Sequence, residues 1–183
     1  MNKKTRNVIV TGVAIALSVA VILFLTESFT FANYKFLPHG ILLSFILIMC
    51  TLICGLAYGA TLSLVIPVLD YMLVSSTYLN AIFLIPIMLG NILIVLIAWF
   101  ISGKKYVWNL LPIGLVIGAF AKSFIVPLLI SLTPKLIPEL KGSVSLTLAL
   151  KHYNFNSMIM PLLFSVFLVI VIWPVVKMVF KKL

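Results

Sequence analysis

Long stretches without a charged residue limit what this chain can fold into. No Asp, Glu, Lys or Arg occurs between Lys35 and Asp70, between Asp70 and Lys104, or from 152 to 176. Each stretch exceeds the roughly 20 mainly apolar residues that a membrane-spanning helix needs. The composition agrees, because 64 % of residues are hydrophobic, 9 % are charged and the mean hydropathy is +1.32. These values exclude both a soluble globular domain and a disordered chain, and they predict a membrane protein.

Six apolar segments indicate an all-α, polytopic membrane protein. We predict a single domain over residues 1–183 that folds as a six-helix transmembrane bundle. The junction between the second and third helices is either a tight turn or a kink inside one long helix, because Gly55 and Gly59 stand there. The predicted helices cover, in order, about 7–25, 39–54, 57–75, 81–101, 108–132 and 157–179.

Positive charge is distributed unevenly over the predicted connections. Six spans put both termini on one side, which holds eight Lys or Arg residues against four on the other. Because basic residues concentrate in cytoplasmic loops, we expect both termini in the cytoplasm. The net charge of +10 then reflects topology and lipid contact more than nucleic-acid binding. The remaining cation, Lys122, falls inside the fifth span.

Motifs that carry enzyme chemistry are missing from the sequence. There is no nucleophile elbow, zinc-protease motif, phosphate-binding loop or dinucleotide fingerprint. We therefore predict that the chain is not an enzyme and needs no cofactor; an intramembrane enzyme would lack a nucleophile with a base at membrane depth. Cys50 and Cys54 stand one helical turn apart, a spacing that can bind metal, but we interpret them as apolar filler and predict no metal site.

The sharper signal is polar chemistry inside the predicted spans. A charge within a bilayer is costly and usually functional, which singles out Asp70 on the third helix and Lys122 on the fifth. They lie at similar depths, so they either form a structural ion pair or face one ligand cavity. Lys122 suits a carboxylate, and Asp70 can accept hydroxyl or amide hydrogens. Asn91, within the fourth helix, either bonds a neighbouring helix or contacts the ligand.

Weaker candidates lie at the predicted outer ends. Tyr71 adjoins Asp70, while His152 and Asn154 belong to the long connection 133–156. Loops of that length are usually functional or disordered. We expect a substrate pocket between the outer halves of helices three to six, where prolines predict kinks: Pro67, Pro86, Pro127 and Pro161.

The first helix carries a small residue at every fourth position: Gly12, Ala16 and Ala20. Such a face lets another helix approach closely. The predicted partner is either a helix of the same fold or another subunit.

Taken together, the chain resembles the substrate-binding S components of energy-coupling factor (ECF) vitamin transporters, in the riboflavin and pantothenate branch. The segments 16–20 (Ala-Leu-Ser-Val-Ala), 54–60 (Cys-Gly-Leu-Ala-Tyr-Gly-Ala), 90–95 (Gly-Asn-Ile-Leu-Ile-Val) and 118–124 (Gly-Ala-Phe-Ala-Lys-Ser-Phe) are similar to that family's pattern, in the same order. Two features differ from the family. Riboflavin-type members have a Pro-rich, carboxylate-bearing junction before the second helix, whereas this chain has Leu-Pro-His-Gly at 37–40, and the tryptophan-rich loop of thiamine-type members is absent. The resemblance therefore implies the class of small water-soluble nutrients without naming one, although Lys122 favours an acid such as pantothenate.

The resemblance also implies partners and a mechanism. An S component of the bacterial cell membrane captures substrate outside and topples in the bilayer. It then docks through its first helix onto a transmembrane coupling subunit that carries two cytoplasmic ATPases. The alternative is a non-transport membrane assembly protein of MreD-like type, which has similar size and span number and binds protein partners instead of a solute.

Overall fold

The computed structural model describes residues 2–25, 29–31, 34–36, 38–74, 84–102, 107–136 and 155–181. Within them the chain is all-α apart from one pair of short strands. The helices are α1 (Lys3–Phe24), α2 (Pro38–Cys54), α3 (Leu56–Val74), α4 (Leu84–Ser102), α5 (Val107–Leu136) and α6 (Phe155–Lys181). The strands are β1 (Phe29–Phe31) and β2 (Tyr34–Phe36).

The predicted helix ends differ from the observed ones by a few residues. α1 begins at Lys3 because the Asn2 side chain accepts a hydrogen bond from the Lys4 backbone N–H at 3.2 Å and caps the helix. α4 begins at Leu84 instead of 81, and α5 runs on to Leu136 instead of 132. The limits of a helix are set by its backbone hydrogen bonds and caps, whereas hydropathy indicates only which part of the helix is apolar.

The connection between α1 and α2 holds an element that hydropathy did not predict. β1 and β2 pair antiparallel, with Phe29 opposite Phe36 and Phe31 opposite Tyr34. Aromatic residues favour extended backbone, which is the physical reason for strands at these positions.

Membrane-spanning character is present in three helices of the described part of the chain. Lys3–Phe24, Leu56–Leu73 and Ile113–Ile130 are long and apolar enough to cross a bilayer, and an 18-residue stretch of each has a mean hydropathy of 2.5, 1.5 and 2.2, respectively. The other three helices contain shorter apolar segments, at His39–Cys54, Leu84–Phe100 and Leu162–Ile172. These helices make the chain a candidate membrane protein.

The bundle is organised around α2. Around it, α1 packs against α3, α3 against α4, α4 against α5 and α5 against α6, and the two ends of this series, α1 and α6, both pack against α2. α2 also packs against α3 and α4. Five consecutive α2 residues from Leu47 to Thr51 are buried, so this helix is covered on all sides.

The structure decides the α2–α3 junction in favour of the tight turn. Gly55 alone separates the helices, with φ +99, a backbone conformation that glycine adopts readily and other residues rarely. Gly59 faces Thr51 near the turn, while His39 lies beside Asp70 at the far ends. α2 and α3 are therefore an antiparallel pair along their whole length.

Candidate functional site

The α4–α5 interface is close because of a glycine. A Cβ atom at Gly90 would collide with Cγ2 of Val126, and it would lie 3.2 Å from Cγ of Lys122. The lysine stem therefore occupies the space that a side chain on Gly90 would fill. This packing lets α5 carry a long side chain at a buried position.

Lys122 and Asn91 meet across this interface. Lys122 Nζ donates a hydrogen bond to Asn91 Oδ1 at 2.6 Å, and each residue is only 6 % exposed. The predicted interhelical bond of Asn91 is thus observed, and its partner is the lysine. The ammonium group of Lys122 has three N–H donors. Asn91 accepts a hydrogen bond from one of them, and two remain available among the described residues.

The site has a cationic side chain without an opposing carboxylate. The described residues contain one acid, Asp70, and no ion pair within 4.0 Å joins it to Lys122. The structural ion pair between these two residues, one of the predicted alternatives, is therefore not formed. A buried charge without a counter-charge is unfavourable, which makes Lys122 the strongest site candidate.

Ser123 follows Lys122 on α5 and is a second buried polar residue of this helix. Its side chain is fully buried, and its Oγ has no hydrogen-bond partner in the described part of the chain. Buried hydroxyl groups are normally satisfied. The sequence reading did not single out Ser123, and its position beside an intramembrane lysine was the available signal.

Asp70 instead faces His39, at the opposite end of the α2–α3 pair from Gly55. His39 Nε2 and Asp70 Oδ1 are 4.0 Å apart, with the side chains 13 % and 16 % exposed. His39 Nδ1 and Asp70 Oδ1 are buried without hydrogen-bond partners among the described residues. The sequence contained a signal for this pairing, because His39 is 16 residues before Gly55 and Asp70 is 15 after it.

The weaker candidates from the sequence lie either on the surface or outside the described residues. Tyr71 is 40 % exposed, so its ring lies on the bundle surface. His152 and Asn154 lie outside the described residues, as does most of the connection 133–156. The predicted outward pocket therefore remains a prediction.

The small-residue face of α1 points away from the bundle. Gly12 and Ala16 are exposed and Ala20 is partly buried. The opposite face packs inward through Asn7, Thr11, Ala14, Ser18 and Ile22. Of the two predicted partners for this face, a helix of the same fold is therefore not what covers Gly12 and Ala16 in the described part of the chain.

An open apolar groove of about 400 Å³ lies on the surface of α4 and α5, nearer the end of α4 than Asn91 is. Its walls carry almost no polar surface, so it offers nothing to a water-soluble ligand. The lining residues are Leu96, Ile97, Trp99, Phe100, Gly114 and Ile117.

No family model matches this chain, and neither the search of curated proteins nor that of solved structures found a match.

Proposed function

We propose that this protein is the membrane-embedded substrate-binding subunit of an ECF-type importer for a small water-soluble nutrient, a vitamin-like acid. In this proposal all six helices span a bacterial cell membrane with both termini in the cytoplasm. The observation that carries it is the buried amine of Lys122, bonded to Asn91 at 2.6 Å with no described carboxylate within ion-pair distance.

The energetics of Lys122 support a ligand more than a packing role. Burying an ammonium group costs several kcal/mol, whereas one hydrogen bond to a charged group returns about 1.5–3 kcal/mol. The fold therefore loses stability by keeping this lysine. An anionic ligand that accepts the two remaining N–H groups would recover the cost, because charge-assisted hydrogen bonds are the strong ones.

In this proposal other polar groups contact the ligand besides Lys122. The Ser123 hydroxyl is buried and unused in the described part of the chain. Asp70, His39, Tyr71, His152 and Asn154 are the proposed contacts toward the outer end. An acid with further hydroxyl or amide groups fits this set better than a simple inorganic anion.

Retention of the ligand tests the proposal directly. Wild-type protein, Lys122→Met and Lys4→Met are purified gently, and the small molecules they carry are identified by mass spectrometry. Lys4 is exposed, so its variant is the matched control for loss of one positive charge. We expect an acid with the wild type and the control, and at least about a tenfold loss in Lys122→Met, since tenfold corresponds to 1.4 kcal/mol. Equal retention in all three proteins would refute the site.

The exposed face of α1 supports docking onto a coupling subunit. Ala16→Leu puts a bulky side chain on the small-residue face, whereas Val13→Leu changes an exposed α1 residue that is already large. Ala16→Leu should reduce co-purification of a coupling subunit and ATPases while leaving ligand retention unchanged. Cell-wall machinery captured in their place, with no acid retained, would favour the assembly-protein alternative.

A further inference from the structure

A second polar cluster lies between the start of α1 and the last turn of α2. Cys50 and Cys54 are buried free thiols one helical turn apart on the same helix. Cys50 Sγ is 3.8 Å from Thr11 Oγ1, and Cys54 Sγ donates to the backbone carbonyl of Asn7 at 3.8 Å. The thiols therefore make only long, weak hydrogen bonds.

The amide of Asn7 gives this cluster a spare oxygen. Its Nδ2 donates to the backbone carbonyl of Cys54 at 3.0 Å, which holds the amide against the end of α2. Its Oδ1 is buried without a partner in the described part of the chain, although Asn7 is only 5 % exposed. The bond to the end of α2 accounts for the burial of the amide NH₂ group, whereas nothing in the described part of the chain accounts for the burial of its oxygen.

Two thiols select a particular kind of metal ion. No group of three or more His, Cys, Asp or Glu side chains occurs among the described residues, so a tetrahedral zinc site is not assembled there. Soft monovalent copper accepts two thiolates on opposite sides. Metal–thiolate bonds of about 2.3 Å separate two such sulfurs by about 4.6 Å, within reach of Cβ atoms roughly 5–6 Å apart at positions i and i+4.

The surroundings suit the charge of such a complex. Cu(I) with two thiolates carries one negative charge, which a membrane interior disfavours unless a cation is near. The guanidinium of Arg6 is close enough to act electrostatically on Cys54. Arg6 precedes Asn7 on α1, so the cation and the thiols meet at the same end of the bundle.

In place of the apolar-filler role expected from the sequence, we propose that Cys50 and Cys54 bind one Cu(I) ion, with the Asn7 amide beside it. Each S–H bond breaks heterolytically, its electron pair forms a bond to copper, and its proton passes to solvent. Two protons are released per ion, and neither copper nor sulfur changes oxidation state. The proposal is independent of the acid site between α4 and α5.

Anaerobic titration with Cu(I) tests it on the full-length protein in detergent. We expect one tightly bound ion, a near-ultraviolet thiolate-to-copper absorption band, and transfer of copper from a chromogenic Cu(I) chelator. Cys50→Ala and Cys54→Ala should each lose the band and weaken binding by about a hundredfold, because one thiolate cannot complete the pair. Alanine is small and apolar at these buried positions, and helical circular dichroism checks that both variants fold.

Met49→Leu is the matched control. Met49 is a buried sulfur next to Cys50, and its thioether should not contribute to the band. The double variant Cys50→Ala/Cys54→Ala measures background binding by the remaining methionines. Wild-type binding no stronger than that of the double variant, or a band that survives in either single variant, would overturn the proposal. Loss of the band in Met49→Leu would assign the copper to a different ligand set.

Discussion

The α1–α2 and α4–α5 interfaces both bury polar side chains between helices, but they satisfy them differently. Between α1 and α2 the well-formed bond goes to a backbone carbonyl, from the Asn7 amide to Cys54, while Thr11 bonds the Asn7 carbonyl of its own helix. Between α4 and α5 the bond joins two side chains, Lys122 and Asn91, and one of them is cationic. A neutral group that completes backbone hydrogen bonding stabilises the fold, whereas a buried cation without a carboxylate requires another explanation. This contrast is why we place ligand binding at α4–α5.

The largest predicted effect concerns how closely α4 and α5 pack. Gly90→Ala should lower the free energy of unfolding by about 2–3 kcal/mol, because the new Cβ collides with Val126 and overpacking is costly. Gly118→Ala is the control on the same interface, since its Cβ would meet Ile94 and Ile97 at ordinary distances of 3.4–3.5 Å. Thermal unfolding in detergent compares the two variants. Equal stability would mean that the α4–α5 spacing is not set by Gly90.

Asn7 tests the backbone role of the α1–α2 interface. Asn7→Leu leaves the buried Cys54 carbonyl without its donor, so we expect a loss of about 1–2 kcal/mol in unfolding free energy. Ser18→Ala is the control, because Ser18 Oγ bonds only Ala14 of its own helix and such bonds contribute little. If Asn7→Leu were as stable as Ser18→Ala, the α1–α2 hydrogen bonds would not be structural.

His39 and Asp70 provide an intermediate case between the two interfaces. At 4.0 Å and partly exposed, the pair is too long for a hydrogen bond, so a double-mutant cycle with His39→Leu and Asp70→Leu should give a coupling below about 1 kcal/mol. Unfolding free energies of the wild type, both single variants and the double variant supply the cycle. A coupling of several kcal/mol would make this pair a principal link between α2 and α3.

The smallest predicted effect on stability is at Lys122. Lys122→Met should change the unfolding free energy of ligand-free protein by less than about 0.5 kcal/mol, or raise it, because removal of a buried cation offsets the cost of leaving Asn91 Oδ1 without its donor. The same variant should lose the retained acid. A stability loss comparable to that of Gly90→Ala would instead assign Lys122 a packing role and remove the contrast between the interfaces.

Much of the helical framework could be predicted because apolar stretches of membrane length leave few alternatives. The candidates Asp70, Asn91 and Lys122 also stood out, since polar groups are rare in such stretches. Their partners could not be predicted, because hydropathy gives depth along a helix but not rotation about its axis. His39 was overlooked for this reason, and so was the hydrogen bond from Lys122 to Asn91.

By itself, the sequence determined that this chain is helical and apolar enough for a membrane, because it has too few charged residues and too many apolar ones to form the surface of a soluble domain. Tertiary structure alone decided which polar groups meet. The left-handed Gly55 folds α2 back against α3 and brings His39 to Asp70, whereas the missing side chain of Gly90 admits Lys122 to Asn91. Both contacts depend on how closely and at what register two helices pack, and that is set by atoms far apart in the chain.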